Sequence, residues 1–444
     1  MSEDTVSVAR LVRPRSYEEA AAAVRDSGAR GTLPGGPGRA YGDAARNAGG
    51  AVLDLTGLDR VHVVDADEGI VLCDAGVPLH RLAGVLLPLG WLPPVMTGDR
   101  GVTVGGAIAA DLHGRDHHVS GSFCRQVLSL EMLTADGEVR TVTPDTELFE
   151  ATAGGMGLTG IVLTATFRLL PVETPYLTVD TERAADLDAL LARMAEGDHR
   201  HRYAAARIDL TGRGTATGRG VLVRADHTPL DALDGPGGLR DRGTRAWRRL
   251  QALRPRPLHQ RAAVAGDVWY RAAPRARTGE IRRLSGFFHP LDGTQQWGRQ
   301  WAQQWSRPYG RGGGLVRYRF ALGHGREEAL HRVVGRLTAL PGPTLPAVLQ
   351  HLGDAGTGWL SFPLPGWSLT VDLPAALPGL AVLLDELDAE VAASGGRVAL
   401  AGDGRLRPDL LDTMYPRAAG FRALRARCDP RGVFTSDLAR RLGL

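Results

Sequence analysis

The 444-residue chain has no lysine, so all 53 of its basic residues are arginine. That absence excludes a Schiff-base lysine, a P-loop phosphate lysine and a lysine general base. Cysteine is nearly missing as well. Cys73, Cys124 and Cys428 stand far apart and match no zinc-ligand spacing, so no metal centre is expected. Sparse, odd-numbered thiols fit a reducing compartment better than a disulfide framework. No uncharged apolar run approaches the ~18 residues of a membrane span. The opening MSEDTVSVARLVRP lacks the apolar core of a signal peptide, so a cytoplasmic protein is expected. The net charge of +4 is small and acidic residues are mixed with the arginines, which leaves no basic stripe for nucleic acid. One stretch, Arg240 to Arg261, is locally basic. It reads as a solvated loop or, alternatively, as a surface for anionic lipid headgroups.

The length implies two or three domains, and 43% hydrophobic with 23% charged residues is ordinary globular composition. Ser16-Tyr17-Glu18-Glu19 spells a capping box for a helix running to Ser27-Gly28. Short β-rich runs follow at Ala51–Leu55, Val61–Val64 and Gly69–Cys73, then an amphipathic helix over Pro78–Leu89. Val139–Val142 reads as strand, Glu147–Ala153 as helix and Gly160–Leu169 as a long strand. Without regular βαβ alternation the fold class is α+β rather than a doubly wound sheet. Beyond Pro171 a helix over Ala184–Ala195 precedes strands near Ala206–Leu210 and Gly220–Arg224. A Gly/Pro/Arg-rich stretch, Asp234 to Pro274, reads as a mobile insertion or irregular surface. Strands at Leu315–Leu322 and Trp367–Leu373 flank a helix at Glu327–Leu340. A last long helix, Leu380–Ala393, ends at Gly395-Gly396.

Glycine is abundant, with 58 residues, and clustered. Gly35-Gly36-Pro37-Gly38-Arg39-Ala40-Tyr41-Gly42-Asp43 can turn successive N–H groups towards one oxyanion, or can be a plain surface turn. A second cluster runs from Thr97-Gly98 through Gly105-Gly106 towards His113-Gly114, and its small residues would let a flat ligand lie against backbone. Gly155-Met156-Gly157-Leu158-Thr159-Gly160 literally spells GxGxxG. A dinucleotide fingerprint needs a strand before it and a helix after it. Here the order is reversed, which argues against a nicotinamide site.

PGGPGRAYGD, TGDRGVTVGGAIAADLHGRDHH, TADGEV, ELFEATAGGMGLTGI and the tail YPR…DPRGVFTSDLARRL resemble the vanillyl-alcohol oxidase / p-cresol methylhydroxylase flavoprotein superfamily. Within it they are most similar to the decaprenylphosphoryl-β-D-ribose 2′-oxidase branch. The resemblance covers nearly the whole chain and is weakest over 175–310. It implies an FAD-binding domain over 1–174, a substrate domain over 175–396 whose antiparallel sheet covers the flavin, and a return to the first domain over 397–444. It implies that Pro34, Gly35, Gly36, Pro37, Gly38, Arg39, Ala40, Tyr41 and Gly42 wrap the pyrophosphate. Gly98, Thr103, Val104, Gly105 and Gly106 would continue the cradle, with Ala110, Asp111 and His113 beside the isoalloxazine and Val162 and Ala399 as further contacts. Relatives with covalent FAD carry a histidine where Arg39 stands, so non-covalent FAD is implied.

Leu315, Arg317, Arg319 and Ala321 alternate with Val316, Tyr318, Phe320 and Leu322, and Ser368, Thr370 and Asp372 alternate with Trp367, Leu369, Val371 and Leu373. Such strands have one polar and one apolar face. The polar faces would bind substrate through Arg317, Arg319 and Thr370, with His351 a weaker candidate. The alternative is that these arginines are solvated or paired with carboxylates. The resemblance makes His113 the first catalytic candidate, the alternative being a structural histidine hydrogen-bonded inside a glycine-rich turn. Tyr41, which matches a family tyrosine or else packs in the core with its hydroxyl bonded, and Asp403 follow. The adjacent His117-His118 has no ligand geometry behind it.

The departures from the branch fall on the substrate side. Its active-site lysine aligns with Gly402, its covering-strand cysteine with Thr370, a glutamine with Arg319 and a lysine with Gln350. Arg319 is closer to what alditol oxidases of the superfamily place over the flavin. The resemblance therefore implies oxidation of a secondary hydroxyl on a sugar, nucleoside or aminocyclitol-like molecule. A short-chain reductase partner would complete an epimerisation, in cell-wall or specialised natural-product (antibiotic) synthesis of a GC-rich actinobacterium. A catalytically idle flavoprotein that scaffolds such a reductase is the alternative.

Overall fold

The computed structural model describes residues 8–38, 42–233, 270–288, 315–340, 347–402 and 404–444. Arg39, Ala40, Tyr41, Asp403 and the Arg240–Arg261 stretch lie outside them.

Among the described residues the strands form four sheets, and the two large ones are antiparallel. The chain begins with a three-stranded parallel sheet in which Ala51–Asp54 lies between Arg10–Val12 and Thr32–Gly35. The first helix, Tyr17–Arg25, starts where the capping box placed it, and Ser16 Oγ accepts from the Glu19 N–H at 3.2 Å. The reciprocal arm is displaced by one residue, because the Glu19 carboxylate accepts from the N–H of Arg15 (2.7 Å). A five-stranded sheet follows, with Ile161–Arg168 at its centre between Ile70–Asp74 and Val127–Leu133. Its apolar face packs on Leu79–Leu86 and Val104–Ala109.

The second half is built on an eight-stranded sheet. Ala276–Arg283 is one edge, and Tyr176–Ala184, Gly220–His227, Tyr203–Ile208, Ala347–Leu352, Gly366–Pro374 and Leu315–Gly323 follow in order across it. Arg397–Val398 closes the other edge before the chain returns to the first lobe. Phe434 there bridges Thr32, and Arg441 makes a paired contact with Asp43 at 2.7 and 3.1 Å. One face of the large sheet is apolar: Tyr318, Phe320, Leu322, Leu349, Leu369, Val371, Ala206 and Ile208 pack beneath Leu187–Gly197, Glu327–Thr338 and Leu380–Ala393. The alternation read from Leu315–Leu322 and Trp367–Leu373 is thus the one the core uses.

Several elements depart from the sequence reading. The helix expected from Ala184 starts at Leu187, because Asp186 is its cap, accepting from the Ala189 N–H at 2.8 Å. The residues before it, Tyr176–Ala184, form a nine-residue strand that the helix-favouring alanines masked. Val127–Leu133, rich in helix formers, is a strand held on both sides. The three cysteines are free, Cys73 and Cys124 buried and Cys428 half-buried. No described helix is long and apolar enough to cross a membrane.

Candidate active site

Two glycine runs meet at Thr103. Its Oγ1 accepts from the Gly106 N–H (3.2 Å) and caps the short helix Val104–Ala109. A Cβ on Gly36 or on Gly106 would lie 3.3 Å from that oxygen, and one on Gly105 would lie 3.1 Å from Ala75. Glycine at 36 therefore lets the Pro34–Gly38 loop pass Thr103 without crowding its side chain. The result is a glycine-rich junction with little side-chain bulk, whose backbone is fixed by the protein itself: the N–H groups of Val104, Gly105 and Gly106 bond Val77 O, Ala75 O and Thr103 Oγ1 at 2.9, 2.7 and 3.2 Å. Gly42 lies at the far end of the same loop, where a Cβ on Gly404 would come within 3.5 Å of its Cα. This draws the segment after Gly402 against the junction. Gly98 lies near Phe288, whose carbonyl oxygen would be 3.2 Å from a Cβ there.

The GxGxxG segment serves a different purpose. Gly157 has φ +74°, and a Cβ on it would sit 2.9 Å from Pro34 Cγ. Gly154 and Met156 N–H groups bond the carbonyls of Ile108 and Ala109, both at 2.9 Å, closing the end of the Val104–Ala109 helix. These glycines buttress the junction from behind.

Asp111 has φ +38° and is fully buried. Its Oδ2 accepts from Ser361 Oγ (2.5 Å) and its Oδ1 from the Cys124 N–H (3.2 Å). Both carboxylate oxygens are spent on the protein, so Asp111 is a tie between the 104–111 segment and the 353–362 loop. That loop carries Phe362, whose ring stacks on His113 with centroids 5.5 Å apart. The edge of His117 meets the same imidazole at 5.8 Å. Burial, then the Arg319 guanidinium, then the His117 ring hold the His113 pKa well below the ordinary imidazole range. His113 is thus neutral at physiological pH, with no hydrogen-bond partner for its ring nitrogens among the described residues.

The polar face of the large sheet is turned to this segment. Gln350 Nε2 donates to the Gly114 carbonyl at 3.2 Å, and the Ala204 N–H donates to the Arg115 carbonyl at 3.0 Å. Register puts Arg207, Val348, Thr370 and Arg319 in one transverse row across four strands. Arg319 Nε donates to Thr370 Oγ1 (3.1 Å), and the Ala399 N–H bonds the Arg319 carbonyl (3.0 Å). His113, Arg319, Thr370 and Ala399 are therefore brought together.

Two other expected substrate residues are placed differently. Arg317 makes a two-point contact with Asp372 directly across the sheet, at 2.7 and 2.8 Å. This is the carboxylate pairing that the sequence reading kept open. His351 pairs with Trp367 on the opposite, apolar face and stacks on it at 4.9 Å, so it does not share the face of Arg319. Val162 lies half-buried on Ile161–Arg168, against the core beneath the first lobe. Tyr41, Arg39, Ala40 and Asp403 fall outside the described residues. Sequence reasoning missed Gln350 as the tie to Gly114, Asp43 as the anchor of the glycine loop, and Phe362. Only the last carried a signal, an aromatic in an otherwise turn-rich stretch.

Comparison with known proteins gives the same picture. An FAD binding domain family matches residues 8–143. A Streptomyces coelicolor protein, described as an uncharacterized protein in the mprA 5′ region, is 51% identical over 381 residues, spanning 83% of this chain and all of that one. Decaprenylphosphoryl-beta-D-ribose oxidase of Mycolicibacterium smegmatis is 36% identical over 441 residues, covering 97% of this chain and 93% of the relative. An oxidoreductase from the fasciation locus of Rhodococcoides fascians is 33% identical over 164 residues, 36% of this chain and 37% of its own. Identity that runs the length of both chains, together with the match to an FAD binding domain, makes the chain a member of the vanillyl-alcohol oxidase / p-cresol methylhydroxylase superfamily of FAD-dependent oxidoreductases, related to decaprenylphosphoryl-β-D-ribose oxidase.

Proposed function

We propose that this oxidoreductase converts a secondary hydroxyl of a sugar or sugar-like molecule to a ketone between His113 and the polar face of the large sheet. The observation that carries this reading is that Arg319, held by Thr370 Oγ1 on that face, lies near enough to the buried His113 to add to the lowering of its pKa. Pro34–Gly38, Gly42, Gly98 and Thr103–Gly106 would hold FAD without a covalent link, with Ala110 and Ala399 bordering it. Residues 1–174 and the chain after 396 form its lobe, and 175–396 form the substrate lobe. Bound FAD supplies the acceptor for the hydride that leaves the carbinol carbon.

The chain's own residues handle the proton and the geometry. The neutral His113 ring accepts the hydroxyl proton. Phe362 fixes its plane, and Asp111 holds the loop that carries Phe362. Arg319, steadied by Thr370 Oγ1, donates to the substrate oxygens and offsets negative charge that builds up during transfer. Arg317 is committed to Asp372 and shapes the sheet rather than the substrate. Identity to an oxidase named for decaprenylphosphoryl-ribose supports a sugar substrate. The ketone product is a natural substrate for a reductase partner, which would complete an epimerisation.

The idle-scaffold reading draws on Gly402: a Cβ there meets nothing within 4 Å, so no side chain stands at that point. Anaerobic titration of the purified yellow protein separates the two. The panel is polyprenyl-phosphoribose, nucleosides, nucleotide sugars, alditols and aminocyclitols, followed at the visible flavin band. Bleaching by one class establishes the oxidation, whereas dithionite reduction with no bleaching by any of them refutes it in favour of the scaffold. Release of the flavin by acid precipitation checks the non-covalent link.

A further inference from the structure

We propose that Arg115, Arg207 and Arg282 form an oxyanion subsite on the polar face of the large sheet, one that receives the phosphate of a phosphomonoester-bearing substrate. The inference rests on the reading that this face binds the molecule oxidised at His113.

The chain ordinarily pairs its partly buried arginines with carboxylates. Arg219 meets Asp209 at 2.6 Å, Arg224 meets Glu182 and Asp198 at 2.8 and 3.0 Å, Arg405 meets Asp385 and Asp388 at 2.5 and 2.7 Å, and Arg317 meets Asp372 at 2.7 Å. Arg207 breaks this pattern. It lies half-buried in the middle of the sheet, and its guanidinium has neither a hydrogen bond nor a carboxylate within 4 Å among the described residues. Arg115 is half-buried as well. It lies over the Phe287 ring at 4.8 Å and makes one hydrogen bond, from Nη1 to the Phe287 carbonyl at 3.3 Å. Phe287 belongs to Leu284–Phe288, which directly follows the Ala276–Arg283 strand and so brings Arg115 to the end of the strand that carries Arg282. Arg282 shares one carboxylate, Glu280, with Arg277, at 2.7 and 3.3 Å.

Burial and the Arg207 charge push the Arg115 guanidinium down to about 10, and burial and Arg282 push Arg207 down as well, so Arg207 lies within Coulombic reach of each of the other two. Like charges held together and partly out of water are costly unless an anion joins them. Guanidinium forks are the side chains best matched to phosphate oxygens. Arg115 and Arg207 contribute two charges that no described carboxylate offsets. A phosphomonoester, carrying about −1.5 to −2 at pH 7, balances them better than a singly charged diester.

Position fits the same role. Arg207 shares a transverse row with Thr370 and Arg319, three strands away. At ~4.8 Å per strand their backbones are roughly 14 Å apart. A phosphosugar can bridge that span with its phosphate at Arg207 and a ring hydroxyl at His113.

The test uses the FAD-loaded full chain at constant ionic strength, with wild type, Arg207→Gln and Arg207→Lys compared. Calorimetry with inorganic phosphate should give at least tenfold weaker binding in R207Q and a smaller loss in R207K. Anaerobic flavin bleaching by ribose 5-phosphate, its methyl diester and ribose should half-saturate at least tenfold lower for the monoester than for ribose. That advantage should vanish in R207Q, and inorganic phosphate should compete with the phosphosugar. Arg115→Gln supplies the comparison if R207Q does not retain its yellow colour. Equal phosphate binding by wild type and the arginine variants overturns the subsite, as does phosphate that binds without competing. If sugars bleach the flavin irrespective of their phosphate, the subsite falls while the oxidation stands. If phosphate binds through Arg207 while no sugar bleaches, the subsite stands and the oxidation reading fails.

Discussion

Asp111 offers the sharpest separation between a cofactor contact and a structural tie. The resemblance placed it beside the isoalloxazine, whereas its two oxygens are occupied by Ser361 Oγ at 2.5 Å and the Cys124 N–H at 3.2 Å. Asp111→Ala leaves both buried donors without an acceptor. At about 1–3 kcal/mol for each stranded group, the loss is about 2–6 kcal/mol. At ~2.1 cal/mol/K per residue over a cooperative unit of about 200 residues, that lowers Tm by roughly 5–14 °C. Asp111→Asn keeps a side chain tolerant of the φ of +38° and can still bridge both partners, so it should cost about 1 kcal/mol. The assay is thermal melting of the flavin-free protein by circular dichroism, with FAD affinity measured in parallel. The tie predicts D111A well below D111N and wild type even without flavin. A flavin-free D111A that melts within about 1 °C of wild type, with FAD affinity alone reduced, would refute the reasoning and restore a direct cofactor contact.

Three further outcomes follow from the same geometry. His113→Gln should retain bound flavin but slow substrate-driven bleaching by about 10²–10⁴-fold, the usual share of a general base; an unchanged stopped-flow rate would remove His113 from the chemistry. Gly157→Ala places a Cβ 2.9 Å from Pro34 Cγ at a φ of +74°, so it should cost about 1–2 kcal/mol in backbone strain and shed flavin on gel filtration, while retention equal to wild type would contradict the buttress. Burial depresses His117, His227 and His351 from 6.5 to about 4, so between those values the unfolded chain binds more protons and stability rises with pH. Burial raises Asp116 from 3.8 to about 6 and raises Asp198 as well, which acts in the opposite direction, but through two groups against four once the buried His113 is included. Tm should therefore climb from pH 4.5 to 6.5, and a flat or falling profile would be inconsistent with this balance.

What the sequence made legible is what a short window of chain must satisfy by itself. The capping box at Ser16 is a four-residue requirement, and its Ser16 arm holds while the Glu19 arm reaches one residue further, to Arg15. The alternation at Leu315–Gly323 reflects a strand with a core on one side only, and the core lies on that side. The reversed order around Gly155–Gly160 argued against a dinucleotide fingerprint, and Gly157 proves to be where the chain passes Pro34. Other elements have no such local signature. Ala276–Arg283 is an edge strand with no buried residue, so no apolar period marks it. Val127–Leu133 carries helix-favouring Leu, Glu and Met, and pairing on both edges overrides that preference. Tyr176–Ala184 does alternate, burying Leu177, Val179, Thr181 and Ala184, but the helix pattern that follows obscured it.

The two halves of the site differ in how the chain specifies them. The glycine-rich junction depends on tight local packing: a Cβ at Gly36 or Gly105 would crowd Thr103 or Ala75, and Gly157 combines a positive φ with a 2.9 Å approach to Pro34 Cγ, so the preference is visible as glycine in the sequence. The substrate face depends on a sheet row, Arg207–Val348–Thr370–Arg319, assembled from strands far apart in the chain. A strand position on an open polar face accepts almost any side chain without disturbing the ladder, so the neighbours of Arg207 cannot be read from the residues beside it. The same freedom fits the departures that the resemblance implies at Arg319 and Thr370, while 36% identity persists across the chain. On the proposed reading, cofactor is set by backbone constraint and substrate by side chains on a tolerant scaffold. Changes of substrate within such a family should therefore concentrate on that row and leave the glycine-rich junction untouched.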